Sequence, residues 1–385
     1  MAPILEIADL KKRAKRRVPK MFFDYADSGS WTESTYQANE SDFQDIVLRQ
    51  RVAVDMTNRS LATQMVGQDV GMPVALSPVG LCGMQWADGE ILAARAAEKF
   101  DVPFTLSTMS ICSIEDVAEN TTKPFWFQLY VMRDRDFVNN LIDRAKGAGC
   151  SALVLTLDLQ ILGQRHKDLR NGLSAPPKFT PKHLWQIGTC PQWCLAMSKT
   201  KRRTFRNIVG HAKGVEDLSS LGSWTAEQFD PSLSWDDVTW IKERFGGPVI
   251  LKGILDPEDA KRSLDYGVDA IIVSNHGGRQ LDGATSSIRM LPDIVDAVGD
   301  RVEVHIDGGI RSGQDILKAT CLGAKAAYVG RPFVYGLGAA GQAGVERMFE
   351  ILRAELDTTM ALCGEKKVTD LSRDNLRSVF GEKLN

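Results

Sequence analysis

The stretch AIIVSNHGGRQLDG (270–283) starts as four apolar residues and ends as a polar turn. A short apolar run bounded by turn signals reads as a buried strand of the kind parallel sheets use. The run exits into Ser274, Asn275, His276 and Arg279, and the pair Gly277 and Gly278 permits a tight bend or close approach to a ligand. A charged turn after a buried strand is ordinary. A histidine, two glycines and an arginine together raise the alternative of a base and an anion clamp.

The same grammar recurs along the chain. Strand-like runs are PVALS (73–77), PFTLS (103–107), FWFQLY (125–130), ALVLTLD (152–158), PVILK (248–252), AIIVS (270–274), VEVHID (302–307) and AAYVG (326–330). Between them lie helical patterns such as GEILAARAAEKF (89–100), RDFVNNLIDRAKGAG (135–149), WDDVTWIKERFG (235–246), PEDAKRSLDYG (257–267) and GQDILKATCLG (313–323). Eight strands alternating with helices predict an α/β fold, a parallel (β/α)8 TIM barrel rather than an open doubly wound sheet. Residues 1–70 are then an N-terminal helical extension, 71–385 the barrel, and about 169–230 a long insertion between the fourth and fifth strands.

The 385 residues, net charge of −2 and 43% hydrophobic content fit a globular chain with a large core and give no reason to expect nucleic acid as a partner. The seven cysteines are odd in number and lie mostly in apolar runs, and Cys190 and Cys194 have neither redox nor zinc-knuckle spacing. Free thiols in a reducing, cytoplasmic setting are expected, and no metal site. The basic run KKRAKRRVPK (11–20) is flanked by Glu6 and Asp9, which favours an exposed helix over a transit peptide, and no apolar segment suits a secretory signal or a membrane span.

One segment breaks the charge balance. Between Asp168 and Glu216 there are nine basic residues and no acid, interleaved with Leu184, Trp185, Trp193, Leu195 and Met197. Such a stretch is either a solvated loop or a segment lying on an anionic membrane surface, and 176–214 is the part expected to make that contact.

In a barrel the chemistry collects at the C-terminal ends of the strands. In chain order those ends present Ser77-Pro78-Val79-Gly80, then Ser107, then Gln128 and Tyr130, then Thr156 and Asp158. They continue with Lys252, with Ser274, His276 and Arg279, with Asp307, Gly309 and Arg311, and with Gly330 and Arg331. Any one of these could merely close a strand, but together they describe a polar ring. Gly309 and Gly330 beside Arg311 and Arg331 read as the phosphate site that such barrels carry after their last two strands. Lys252 is either a Schiff-base amine of a barrel aldolase or isomerase, or a fixed cation beside a cofactor ring, and the surrounding amides and hydroxyls favour the ring. Asp158 could hold an imidazolium at His276, and Arg279 could clamp a carboxylate.

Several longer motifs agree with that chemistry. SNHGGRQLDG (274–283), LKGILDPEDA (251–260), FDYADSGSWTESTYQAN (23–39), FWFQLYV (125–131) and DGGIRSGQD (307–315) resemble the FMN-dependent α-hydroxy acid oxidases and dehydrogenases over nearly the whole chain. Within that family the pattern is most similar to the quinone-linked bacterial L-lactate dehydrogenases. The resemblance implies FMN as cofactor and oxidation of an L-2-hydroxy acid, L-lactate foremost, to the 2-oxo acid. His276 is then the base supported by Asp158, Arg165, Arg279 and Tyr25 hold the substrate carboxylate, and Tyr130 bonds the reacting oxygen. Pro78, Val79, Gly80, Ser107, Gln128, Thr156 and Ser274 line the flavin, Lys252 sits at its N1/O2 edge and Asp307 binds the ribityl chain. Gly309, Arg311, Gly330 and Arg331 take the phosphate. Met109 stands where glycolate-oxidising relatives carry tryptophan, so a roomier substrate pocket is expected. The resemblance also implies a homotetramer, peripheral attachment to the cytoplasmic face of the inner membrane through the insertion, and a quinone or other electron acceptor. The competing reading is a soluble oxidase that uses oxygen and releases peroxide.

Overall fold

A computed structural model describes residues 3–173, 180–212, 215 and 228–383. All eight expected strands form: β1 Val74–Leu76, β2 Thr105–Ser107, β3 Trp126–Tyr130, β4 Ala152–Thr156, β5 Val249–Ile254, β6 Ala270–Val273, β7 Glu303–Asp307 and β8 Ala326–Val329. They are parallel and hydrogen-bonded in sequence order, with β8 pairing back onto β1. The remaining seam, between β1 and β2, closes through a parallel bridge from Leu76 to Phe104, where the Leu76 N–H donates to the Pro103 carbonyl at 2.9 Å. Helices pack around this α/β barrel.

Strand alternation sends one set of side chains inward. Ala75, Trp126, Ala152, Val154, Ile250, Ala270, Ile272, Ala326 and Tyr328 form a core distinct from the larger one between strands and helices. Met65 and Val70 join this inner core from a hairpin of Thr63–Met65 with Gln68–Val70, which plugs the end of the barrel where the strands begin. Its two-residue loop, Val66 and Gly67, has positive φ at both positions (48° and 72°), the turn geometry that matches strand twist.

Two local expectations differ from the structure. The extension over 1–70 is helical only over Ile7–Arg17, Lys20–Ala26 and Ser34–Ser41, with a 3-10 turn over Asp42–Asp45. Ile46–Leu48 is a strand pairing antiparallel with Leu376–Val379, so the N-terminal segment is tied to the C-terminus by a sheet. The helix Ser287–Val298, which lies outside the helical patterns named from sequence, holds Pro292 inside it. Its buried stripe of Ile288, Leu291, Ile294 and Val298 offsets the hydrogen bond that proline removes.

Candidate active site

A cavity opens at the C-terminal ends of the strands, and most of the expected side chains converge on it. His276 follows β6 in left-handed backbone geometry (φ 58°), unusual for a residue with a side chain. Gly277 and Gly278 continue that geometry. A Cβ on Gly278 would lie 2.5 Å from the Tyr36 amide nitrogen, so the turn is pressed onto the N-terminal segment. This bend brings the His276 Nδ1 to 2.9 Å from Asp158 Oδ1 and leaves Nε2 for a ligand. Burial pushes the His276 pKa below its ordinary value, and the Asp158 carboxylate only partly opposes that. Burial works against charge on Asp158 too, yet His276 and Lys252 hold its pKa below the usual carboxylate value. The pair is a neutral imidazole beside a carboxylate that welcomes its protonation.

On the neighbouring wall, Arg165 and Arg279 flank the Tyr25 ring, their guanidinium carbons 5.5 and 4.9 Å from its centroid. Burial, and then the like charge of Arg165, lower the Arg279 pKa to about 10. Arg279 donates to the Tyr25 carbonyl at 2.6 Å, which is a fixing contact and not a neutralising one. Arg165 is ion-paired with Asp168 at 2.6 Å, so Arg279 carries the charge of the two that has no carboxylate partner among the described residues, and an incoming carboxylate suits its fork geometry. Tyr130 lines the same wall, and burial raises its pKa, so it stays a hydroxyl donor.

The other half of the cavity belongs to β5, β7 and β8. Lys252 Nζ lies 3.1 Å from Asp307 Oδ2 and 3.0 Å from Ser274 Oγ. Burial works against its charge, but Asp307 and Asp158 raise its pKa above the ordinary lysine value. A Schiff-base amine needs the reverse, so the aldolase reading of Lys252 loses its chemistry. The other Asp307 oxygen, Oδ1, is buried without a hydrogen-bond partner among the described residues. Gly309, at φ 82°, fits only without a side chain, since a Cβ there would lie 1.8 Å from the Asn39 carbonyl oxygen. Arg311 is paired with Glu40 at 2.7 Å, and Arg331 is fixed by the carbonyls of Ala26, Ser28 and Gly277. A cation at one edge, an open buried acceptor below it and two anchored arginines beyond fit a ring with a polyol chain and a terminal phosphate. The residues present therefore fit FMN.

Most predicted site residues lie on the cavity wall: Tyr25, Pro78, Val79, Gly80, Ser107, Met109, Tyr130, Arg165, Lys252, His276, Arg279, Asp307, Gly309, Arg311, Gly330 and Arg331. Gln128, Thr156 and Ser274 are not among the lining residues and are buried in a hydrogen-bonded layer behind it. Ser107 Oγ donates to Gln128 Oε1 at 3.1 Å, and Gln128 Nε2 to Thr156 Oγ1 at 3.0 Å. Asp158 likewise stands behind His276. Sequence reasoning missed Leu159, Leu162, Phe205 and Phe229, which give the cavity an apolar wall. Phe205 and Phe229 come from the insertion, which carries no periodicity to mark them.

The insertion is only partly as expected. Residues 176–179 and 213–214 lie outside the described residues. Pro181–Gly188 and Pro191–Lys199 are helices, with Leu184, Trp185 and Leu195 exposed. Trp193 and Met197, expected on the same surface, are instead buried against the body of the protein. Trp193 stacks on Phe22 at 5.7 Å and donates to the Met84 carbonyl at 2.8 Å. Arg202 and Arg206 are ion-paired with Asp116, so that carboxylate offsets part of the basic charge of the stretch. Among the described residues no helix is long and apolar enough to cross a membrane.

A barrel with a cradle for a phosphorylated ring at one side of its mouth, and a His–Asp pair with an arginine clamp at the other, defines a flavin-dependent oxidoreductase of small acids. Comparison with known proteins agrees: residues 14–378 match the model of the FMN-dependent dehydrogenases, and the chain belongs to that family, with FMN as its cofactor. It is 47% identical over 369 residues to an L-lactate dehydrogenase of Actinobacillus pleuropneumoniae serotype 5b, covering 96% of this chain and 97% of that one. It is also 47% identical over 377 residues to an L-lactate dehydrogenase of Haemophilus influenzae strain PittEE, covering 97% and 98%. Among solved structures it is similar to the monotopic membrane protein (S)-mandelate dehydrogenase, with a TM-score of 0.93, 35% identity and coverage of 97% and 99%.

Proposed function

We propose that this protein oxidises an L-2-hydroxy acid, L-lactate foremost, to the 2-oxo acid and passes the electrons to a quinone. The observation that carries the reading is the His276–Asp158 pair, 2.9 Å apart, on the same cavity as the arginines flanking Tyr25. Bound FMN supplies the two-electron acceptor. Arg165 and Arg279 hold the substrate carboxylate, and Tyr130 donates to the reacting oxygen. These contacts and the facing imidazole fix three points of the substrate, which selects one enantiomer. His276 Nε2 accepts the substrate proton, and Asp158 stabilises the resulting imidazolium through Nδ1. Lys252 offers a permanent positive charge on the cofactor's side of the cavity, while Asp307, Gly309, Arg311, Gly330 and Arg331 hold its polyol and phosphate.

The names of the curated relatives support lactate as substrate. That of the structural relative supports peripheral membrane attachment, which we assign to the exposed faces of Pro181–Gly188 and Pro191–Lys199, on the cytoplasmic side. Proximity to lipid is what favours a quinone. A homotetramer is the proposed assembly, and light scattering tests it. For the reaction, anaerobic L-lactate should bleach the flavin absorbance near about 450 nm, whereas D-lactate should not. Bleaching by both enantiomers or neither would overturn the substrate assignment. In air, fast peroxide release with no gain from an added quinone would overturn the acceptor.

A further inference from the structure

Below the cavity, a column of polar side chains runs down the inside of the barrel. His305, midway along β7, is fully buried. Its Nδ1 lies 3.1 Å from the Tyr328 hydroxyl and its Nε2 3.0 Å from Glu303 Oε2. Glu303 accepts the Val66 amide of the plug hairpin at 2.9 Å. A neutral imidazole satisfies every member: Nε2–H donates to Glu303, and Nδ1 accepts from Tyr328. Burial raises the Tyr328 pKa well above its ordinary value, so its hydroxyl stays a donor.

The column is wasteful as structure alone, since apolar residues would fill the space without needing partners. Its upper end shows a use. Tyr328 is the register partner of Asp307 across β7 and β8, and its ring forms part of the cavity wall. Yet its hydroxyl points away from the cavity, to the residue two positions below Asp307 on the same face of the strand. Asp307 Oδ1 is the open acceptor in that part of the cavity. We propose that His305 is a positioning residue for the cofactor: by accepting the Tyr328 hydroxyl, it holds that ring down as the cavity floor and keeps the space beside Asp307 open for FMN. Without the acceptor, Tyr328 carries a buried unsatisfied hydroxyl, and the open acceptor on its register partner, Asp307 Oδ1, lies in the cofactor's space. The inference rests on FMN binding alone and not on the choice of substrate.

The test is FMN titration of the apoprotein, read by quenching of flavin fluorescence. His305→Leu keeps the side-chain volume but not the acceptor, and it should weaken binding roughly tenfold. His305→Asn restores an acceptor near the place of Nδ1 and should bind within about twofold of the parent, the noise of a neutral substitution. The double variant His305→Leu/Tyr328→Phe should recover most of the lost affinity, because the hydroxyl that drives the ring upward is gone. A merely structural role predicts the opposite sign, with the double variant no better than His305→Leu, and that result would overturn the proposal. If the leucine chain does not fold by circular dichroism, His305→Asn and Tyr328→Phe still decide. Both should bind FMN like the parent, and a tenfold loss in either refutes the positioning role.

Discussion

The two ends of β7 obey the same alternation and meet opposite fates. At its start, Glu303 and His305 face inward, and Glu303 Oε2 and both imidazole nitrogens have partners. At its end, Asp307 also faces inward, but one oxygen pairs with Lys252 and the other has no partner among the described residues. Other strands carry similar features at the same mouth. Their upper ends carry His276 in left-handed geometry, an open Asp158 oxygen and an arginine whose pKa falls to about 10. Strand periodicity cannot produce this difference. It places side chains, and along β7 the sequence then completes the hydrogen bonding of His305 and leaves one Asp307 oxygen without a partner among the described residues. An unpaired buried carboxylate oxygen destabilises the free protein, so Asp158 Oδ2 and Asp307 Oδ1 at one mouth mark where a ligand can finish the structure.

The sharpest attempt to break that contrast is His276→Gln. An amide keeps the polarity but cannot take the proton, so anaerobic flavin reduction by L-lactate should slow by about 10²- to 10⁴-fold. The protein should remain yellow, since the phosphate and polyol contacts lie elsewhere. A reduction rate within tenfold of the parent would remove His276 from the chemistry. Arg279→Leu comes next. It deletes a charge-assisted contact with the carboxylate, and KM for L-lactate should rise about ten- to a hundredfold with FMN retained. If KM does not move, the anion held between Arg165 and Arg279 is not the substrate.

Asp158→Asn sharpens the comparison through pH. Burial depresses the His276 pKa and the Asp158 carboxylate pulls it partly back. Activity needs the neutral imidazole, so kcat/KM in the parent should fall on the acid side with a midpoint below His276's ordinary value near 6.5. Removing the carboxylate removes the raising influence, so the midpoint should shift still lower while the plateau drops roughly tenfold. A shift to higher pH would mean that Asp158 acts on another group.

The fold and most of the cavity wall were legible because they rest on local signals. A four-residue apolar run names a strand, and the residue that follows it names what the strand delivers to the mouth. That is how Lys252, Asp307 and His276 could be placed together from positions far apart in the chain. What was not legible depends on contacts without a period. Phe205 and Phe229 reach the cavity from irregular chain. The hairpin over 63–70 falls within the expected helical extension, and only its insertion among the barrel's inner side chains explains it. Gln128, Thr156 and Ser274 were recognised as polar strand ends, but the sequence does not say that they stand one layer behind the wall.

Trp185 and Trp193 show the same boundary and carry the smallest predicted effect. Both sit in the same acid-free stretch with similar neighbours, yet Trp185 is 75% exposed and Trp193 8%. Composition cannot separate them; Phe22 and the Met84 carbonyl do, by giving Trp193 a stacking face and an acceptor. The surface proposed for lipid is therefore narrower than the sequence suggests. It comprises Leu184, Trp185 and Leu195, with Lys199, Lys201 and Arg203 exposed nearby. Each such apolar side chain contributes about 1.5–3 kcal/mol when fully buried, and each basic one about 1 kcal/mol beside anionic lipid. The double variant Leu184→Ser/Trp185→Ser should thus cut co-sedimentation with phosphatidylserine-containing vesicles at low salt by about tenfold or more. Its lactate-driven flavin reduction should be unchanged. Trp193→Ser should do the reverse, lowering the melting temperature through a lost core contact with little direct effect on vesicle binding. Equal loss of binding in both variants would mean that the two helices reach the membrane as one folded unit, with the buried face as necessary as the exposed one.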